Sequence, residues 1–287
     1  MPNMPCGVWS ANDVADSDLG LVVAGYKADG AQSVVTVHQP NGQWSVTATF
    51  PPCGSDAEQP LARPLAANES LAHVAVAASR VGMDSALNCT HYAGAIAASA
   101  AKIVGRYYRW PTSRYTSLTH DEAVALSKAG LSILALWEWA SDTIHNFSFN
   151  DGIDQGSSAV NQALKAHQPP GTPIYFAVDY DATAGDIAGG IADYFRGLQH
   201  AIDSLKADYK IGVYGSGRCC AWLLAHGGAS SAWLADAAKW AGSATFQDWN
   251  VRQGHADLAI AGLQPGASGE YDSNEVKANA GFFTVMA

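Results

Sequence analysis

The residues best suited to chemistry lie in one run, Ile174-Tyr175-Phe176-Ala177-Val178-Asp179-Tyr180-Asp181. Read as a strand, its side chains alternate between two faces. Ile174, Phe176, Val178 and Tyr180 suit a helix-covered face, while Tyr175, Ala177, Asp179 and Asp181 share the other. Two positions apart on a strand, the carboxyl-bearing Cβ atoms stand roughly 6–7 Å from each other. Two half-buried carboxyls at that separation resist joint ionisation, so one holds its proton at a raised pKa. A proton donor beside a carboxylate is the equipment of general acid–base catalysis. Two other readings fit the pair alone: Asp residues capping the following turn or helix, and a site for Mg²⁺ or Ca²⁺.

Further acids occupy comparable places. Asp84 closes Val81-Gly82-Met83-Asp84, and Asp272 closes Gly269-Glu270-Tyr271-Asp272. Glu138 follows Leu136-Trp137. If these runs are the first, last and a middle strand of one closed barrel, Asp84, Asp272, Asp179 and Asp181 meet at a single rim. Acids converging on a barrel mouth point to glycoside hydrolysis. Tyr107, Trp137, Tyr175, Tyr214 and Trp249, at or near strand ends, are candidates to carry the apolar face of a sugar. Arg106, unusual on a buried strand, is a candidate to neutralise the rim, the alternative being a surface salt bridge.

The elements that must position these residues follow from periodicity. Strands are expected at Val81–Ser85, Lys102–Trp110, Ser132–Trp139, Pro173–Asp181 and Lys210–Gly215, with weaker ones at Ser231–Leu234, Thr245–Trp249 and Gly269–Asp272. Helices are expected at His91–Ala101, Thr119–Ala129, Ser157–His167, Ala184–Lys206 and Arg218–His226, the second opened by a Thr119…Glu122 capping box. The alternation predicts an α/β fold, an irregular (β/α)₈ TIM-like barrel over residues 77–287. An open doubly wound sheet shares the same alternation. Residues 1–76 read as a small β-rich module or extension, with strands at Leu19–Tyr26, Ser33–Gln39 and Gln43–Phe50 and a hairpin at Pro40-Asn41-Gly42.

Composition removes several classes. The 287 residues carry 26 acidic and 16 basic side chains, a net charge of -10. No basic run supports nucleic-acid binding, and no apolar stretch is long enough to span a membrane. The start, Met1-Pro2-Asn3-Met4-Pro5, lacks the features of a signal peptide. The expectation is therefore synthesis in the cytoplasm, followed either by residence there or by non-classical export that reads no cleaved signal. The five cysteines read as packing or surface thiols, with a Cys6–Cys53 pairing open and Cys219 a remote candidate thiol nucleophile. No metal-ligand spacing, phosphate loop or Gly-x-Ser-x-Gly elbow occurs, so no metal or cofactor is expected.

Six segments taken in order carry a resemblance. Gly82-Met83-Asp84, Gly105-Arg106-Tyr107-Tyr108, Ile174–Asp181, Gly212-Val213-Tyr214-Gly215-Ser216, Trp233-Leu234-Ala235 and Tyr271-Asp272-Ser273-Asn274 together resemble the bacterial glycoside-hydrolase-like domain family of mycobacterial cell-envelope type. That family is similar to the family 25 (Chalaropsis-type) lysozymes. The resemblance covers roughly residues 81–276. It implies a barrel and cleavage of peptidoglycan, with Asp84, Asp179, Asp181 and Asp272 as catalytic positions. The lysozymes' catalytic Glu corresponds to Asp181, one methylene shorter, a displacement that can cost on the order of 100-fold in rate. Two functions follow as expectations: a muramidase-like hydrolase with Asp181 as the acid, and a catalytically silent glycan-binding barrel. A structural barrel in a larger secreted assembly is a third. Delivery as an antibacterial effector or lysin would add a secretion component and an immunity protein as partners.

Overall fold

The computed structural model describes residues 8–14, 19, 23, 27, 31–40, 42, 44–49, 79–254, 258–265 and 271–286. The chain falls into two compact units, Met1–Val74 and Ala75–Ala287.

The first unit holds strands β1 (Val8–Val14), β2 (Ser33–His38) and β3 (Trp44–Thr49) in one antiparallel sheet of order β1-β3-β2. The expected hairpin joins β2 to β3, His38 opposite Trp44, with Gly42 at φ +83°, a conformation that favours glycine. Leu19 and Val23, expected in a strand, are helical. A continuous apolar run does not by itself separate the two periods, and the four-residue spacing puts both side chains against Val46 and Ala48. The remainder of Leu19–Tyr26, and both Cys6 and Cys53, lie outside the described residues.

The second unit is a closed eight-stranded barrel. Its strands are β4 (Arg80–Asp84), β5 (Ile103–Tyr108), β6 (Ser132–Trp137), β7 (Pro173–Ala177), β8 (Lys210–Gly215), β9 (Ser231–Leu234), β10 (Val251–Gln253) and β11 (Asp272–Val276). They run parallel from β4 to β10, and β11 is antiparallel to both β10 and β4. The strand expected at Thr245–Trp249 is instead loop, and the ladder begins at Val251. Asp272 opens the last strand rather than closing it. Because that strand is antiparallel, its first residue reaches the same rim as the last residue of β4.

Alternation sorts the barrel wall. Ile103, Tyr107, Leu134, Leu136, Tyr175, Ala177 and Trp233 fill the interior. Val104, Tyr108, Ile133, Trp137, Ile174 and Phe176 face outward under the helices. The interior is close-packed: a Cβ on Gly105 would lie 2.6 Å from the Trp233 ring and 2.7 Å from the Asp84 Cβ. Among the outer helices, His120–Lys128 opens on Thr119, whose hydroxyl accepts from the Glu122 N–H. Gly217–Ala225 opens on Ser216, which accepts from the Cys219 N–H. The helix expected at Ser157–His167 starts a full two turns earlier, at Phe149, capped by Ser148. No described helix is long and apolar enough to cross a membrane.

Candidate active site at the barrel mouth

The mouth is organised around Asp84. The last residue of β4, it is 2% exposed. Its Oδ1 accepts from the Tyr107 hydroxyl at 2.6 Å, and its Oδ2 from the Asn274 amide at 2.7 Å and the Gln253 amide at 3.3 Å. Asn274 is fixed in turn by the Trp233 indole, which donates to its Oδ1 at 3.0 Å. Burial pushes the Asp84 carboxyl up to about 7, with Tyr107, Asn274 and Gln253 holding it back and the Asp272 charge adding to the rise.

Asp272 pairs with Asp84 across the antiparallel seam and stands exposed at the mouth. The Gln253 Nε2 that reaches Asp84 also lies 3.5 Å from the Asp272 Oδ2. The other end of that amide accepts from the Tyr214 hydroxyl at 2.8 Å and from the Asp236 N–H at 3.4 Å. Gln253 therefore ties four residues of the mouth together, although a glutamine in a three-residue strand carried no signal in the sequence. Asp236 and Asp142 were likewise missed. Asp236 adds its charge to burial in raising Asp272, and Asp142 does the same for Asp179.

Glu138 and Asp179 complete the rim. Glu138 sits just past β6 and accepts from Arg109 at 2.6 Å. The Arg109 guanidinium lies over the Tyr107 ring, 4.4 Å from its centroid. Burial raises the Glu138 carboxyl, Arg109 opposes the rise, and Asp179 adds to it. Asp179 is half-buried and raised by burial and then by Asp142; among the described residues no cation bridges it. Tyr214 lies among these groups. Burial holds its phenol well above the ordinary value, and Asp179, Asp84, Glu138 and Asp272 all add to the effect.

Five expected site residues fall elsewhere. Strand β7 ends at Ala177; the Val178 N–H still reaches the Tyr214 carbonyl, but the Asp179 N–H turns to the Ser141 carbonyl at 2.7 Å. With the ladder broken, Asp181 does not share a strand face with Asp179. It is exposed, and its Oδ1 accepts from the Ala241 N–H at 2.8 Å, the turn-tying role of an Asp after a strand. Arg106 points out of the barrel into a fully buried pair with Glu122, at 2.6 Å, and also donates to the Ser85 and Thr116 carbonyls. That pairing diverts Glu122 from the expected reciprocal capping box. Trp137 is on the outer face, its indole donating to Gln155 at 2.7 Å. Tyr175 lies in the interior core and donates to the Ala280 carbonyl at 2.8 Å. Trp249 precedes β10, at the end of that strand away from Gln253, and carries Lys277 3.9 Å from its ring centroid. Of the sugar-contact candidates, Glu138, Tyr107 and Tyr214 are at the mouth.

Among the described residues no thiol is placed as a nucleophile. Cys89, Cys219 and Cys220 are buried, and burial pushes Cys219 up to about 12. Among the described residues no group of three or more His, Cys, Asp or Glu is placed to hold a metal ion.

Residues 94–274 match the family model of the Rv2525c-like, glycoside hydrolase-like domain. Over 122 residues the chain is 30% identical to FadG of Bacillus subtilis, covering 42% of this chain and 21% of FadG. It is 32% identical to YbfG of the same organism over 129 residues, covering 42% and 18%. The matches thus span about a fifth of those curated relatives. The structure is similar to that of the Tat-secreted protein Rv2525c of Mycobacterium tuberculosis, with a TM-score of 0.57 at 20% identity, over 71% of this chain and 98% of that one. That likeness establishes the fold.

Proposed function

The chain belongs to the Rv2525c-like, glycoside hydrolase-like domain family, and from that premise we propose that it hydrolyses bacterial cell-wall glycan, with the peptidoglycan strand as substrate. The observation that carries the reading is the contrast between two neighbouring carboxyls at one rim. Glu138 has a guanidinium at 2.6 Å; Asp179 has none and feels Asp142 instead. A guanidinium beside one of two neighbouring carboxyls favours the charge on that one and leaves the unpaired one as the proton carrier in this reading.

In this reading Asp179 gives its proton to the glycosidic oxygen as the C1–O bond breaks. Glu138, paired with the Arg109 guanidinium that counters the effect of its burial, faces the positive charge that develops on the sugar ring and takes a proton from the incoming water. Tyr214 and Asp272 hold hydroxyl groups of the sugar, and Asp84, with both oxygens engaged inside the barrel, positions Tyr107 and Gln253. The wall lies outside the cytosol, so the reading entails export, as an antibacterial effector or as a lysin, with an immunity protein as a corresponding partner.

A second reading has its own support. The position that resembles the lysozymes' acid, Asp181, is spent on the Ala241 N–H, which favours a barrel that binds cell-wall glycan without cleaving it. Incubation with purified peptidoglycan and mass spectrometry of the soluble fraction separates the two. New reducing-end muropeptides support the hydrolase. Co-sedimentation with the wall and no product supports the binding barrel.

A further inference from the structure

Beside the rim opens a cavity of about 490 Å³ that shares Glu138 and Arg109 with the rim and extends past them to Arg114, Tyr115, Trp139 and Ala140. Its size is that of a site for one sugar or a short peptide. Its charge is unusual for this molecule. Arg109 is answered by Glu138. Arg114 is exposed; it donates to the Tyr115 hydroxyl at 2.9 Å and lies over the Tyr115 ring at 4.7 Å, and among the described residues no carboxylate stands within 4 Å of it. An unanswered cation thus borders a mouth otherwise dominated by acids, in a chain of net charge -10.

The backbone of this cavity is also strained. Ala140, exposed on the turn after Trp139, has φ +45°, a left-handed conformation in a residue other than glycine. Such residues persist where surrounding contacts enforce them, and they gather at functional sites. The next residue, Ser141, supplies the carbonyl that receives the Asp179 N–H at 2.7 Å. One turn therefore both lines the cavity and anchors the proposed proton donor.

We infer that this cavity is a subsite for a carboxylate-bearing group of the glycan, with Arg114 as its charge partner and Tyr115 and Trp139 as its flat walls. A guanidinium matches a carboxylate with two parallel hydrogen bonds, and aromatic faces suit sugar rings. The acidic mouth repels the same carboxylate, so the two regions together set the register of the chain across Asp179. The inference rests on the glycan reading and adds to it the charge of the ligand. The carboxylate has two sources in the wall, the lactyl group of a peptide-free muramic acid and the stem peptide.

Calorimetric titration of the full chain carrying Asp179→Asn, which prevents turnover, tests it with three probes: chitotetraose, a peptide-free GlcNAc–MurNAc tetrasaccharide, and the same tetrasaccharide bearing tetrapeptides. At least one charged probe is expected to bind roughly tenfold tighter than chitotetraose. Arg114→Ala is expected to abolish that preference while leaving chitotetraose affinity unchanged, and Arg114→Lys to restore part of it. Tighter binding by the peptide-free probe alone assigns the lactyl carboxylate, by the peptide-bearing probe alone the stem peptide, and by both a subsite that takes either carboxylate. Equal affinity for all three, equal weakening of all three by Arg114→Ala, or no binding of any probe would overturn the inference. Product release by the parent chain without charge preference would leave the hydrolase standing and this subsite refuted. Charge-selective binding without product would do the reverse.

Discussion

Asp84 and Asp272 stand directly opposite each other on the antiparallel seam that closes the barrel, and one amide nitrogen, Gln253 Nε2, lies within 3.5 Å of both carboxyl groups. The pair is unequal: Asp84 is buried with both oxygens engaged, and Asp272 is exposed. The first organises the interior of the mouth, and the second is available to a ligand.

That inequality has a consequence for stability against pH. Burial lifts the Asp84 carboxyl from 3.8 to about 7. Between those values the folded chain holds a proton that the unfolded chain has released. The contribution of this group to stability is therefore full below about pH 4 and is lost as pH rises through about 7. Asp84→Asn removes that dependence. Urea midpoints measured across this window should fall less steeply with pH for the variant than for the parent, and equal slopes would contradict the assignment.

The packing beneath the mouth predicts an intolerance. Gly105→Ala puts a methyl group 2.6 Å from the Trp233 ring and 2.7 Å from the Asp84 Cβ. Overpacking of this kind costs about 1–3 kcal/mol. Because Trp233 also donates to Asn274, the loss in thermal midpoint should come with an altered near-ultraviolet tryptophan signal. A variant with the parent's midpoint and spectrum would mean that the interior is looser than described.

On the outer face, Arg106 and Glu122 form a pair with both side chains 0% exposed. Arg106→Ala leaves the Glu122 charge buried and unanswered, which costs about 3–5 kcal/mol. Chemical denaturation should register that loss, while glycan affinity per folded molecule stays at the parent's level. Reduced affinity in a fully folded variant would return Arg106 to the binding site.

Much of this was legible in advance, and the failures have specific causes. Asp84 and Asp272 were placed at one rim because the first and last strands of a barrel are neighbours, and the alternation of Tyr175 and Ala177 with Ile174 and Phe176 held. Alternation also forbids Arg106 and Tyr107, adjacent on one strand, from facing one space together, and it puts Trp137 on the outer face with Ile174 and Phe176, away from Tyr175. Asp181 failed for a different reason. The point at which β7 leaves its ladder is set by the Ser141 carbonyl, 38 positions earlier in the chain, which takes the Asp179 N–H. Gln253, Asp142 and Asp236 act only through partners that folding brings near, and nothing in their local sequence distinguishes them.

Which aspartate carries the proton decides the mechanism most directly. Muropeptide release from purified peptidoglycan should be timed for the parent, Asp179→Asn and Asp181→Asn in parallel. A loss of roughly 100-fold or more is expected for Asp179→Asn, the scale of a missing general acid, and near-parental release for Asp181→Asn. Loss confined to Asp181→Asn would contradict this assignment and would return the proton to the residue that here holds only the Ala241 N–H.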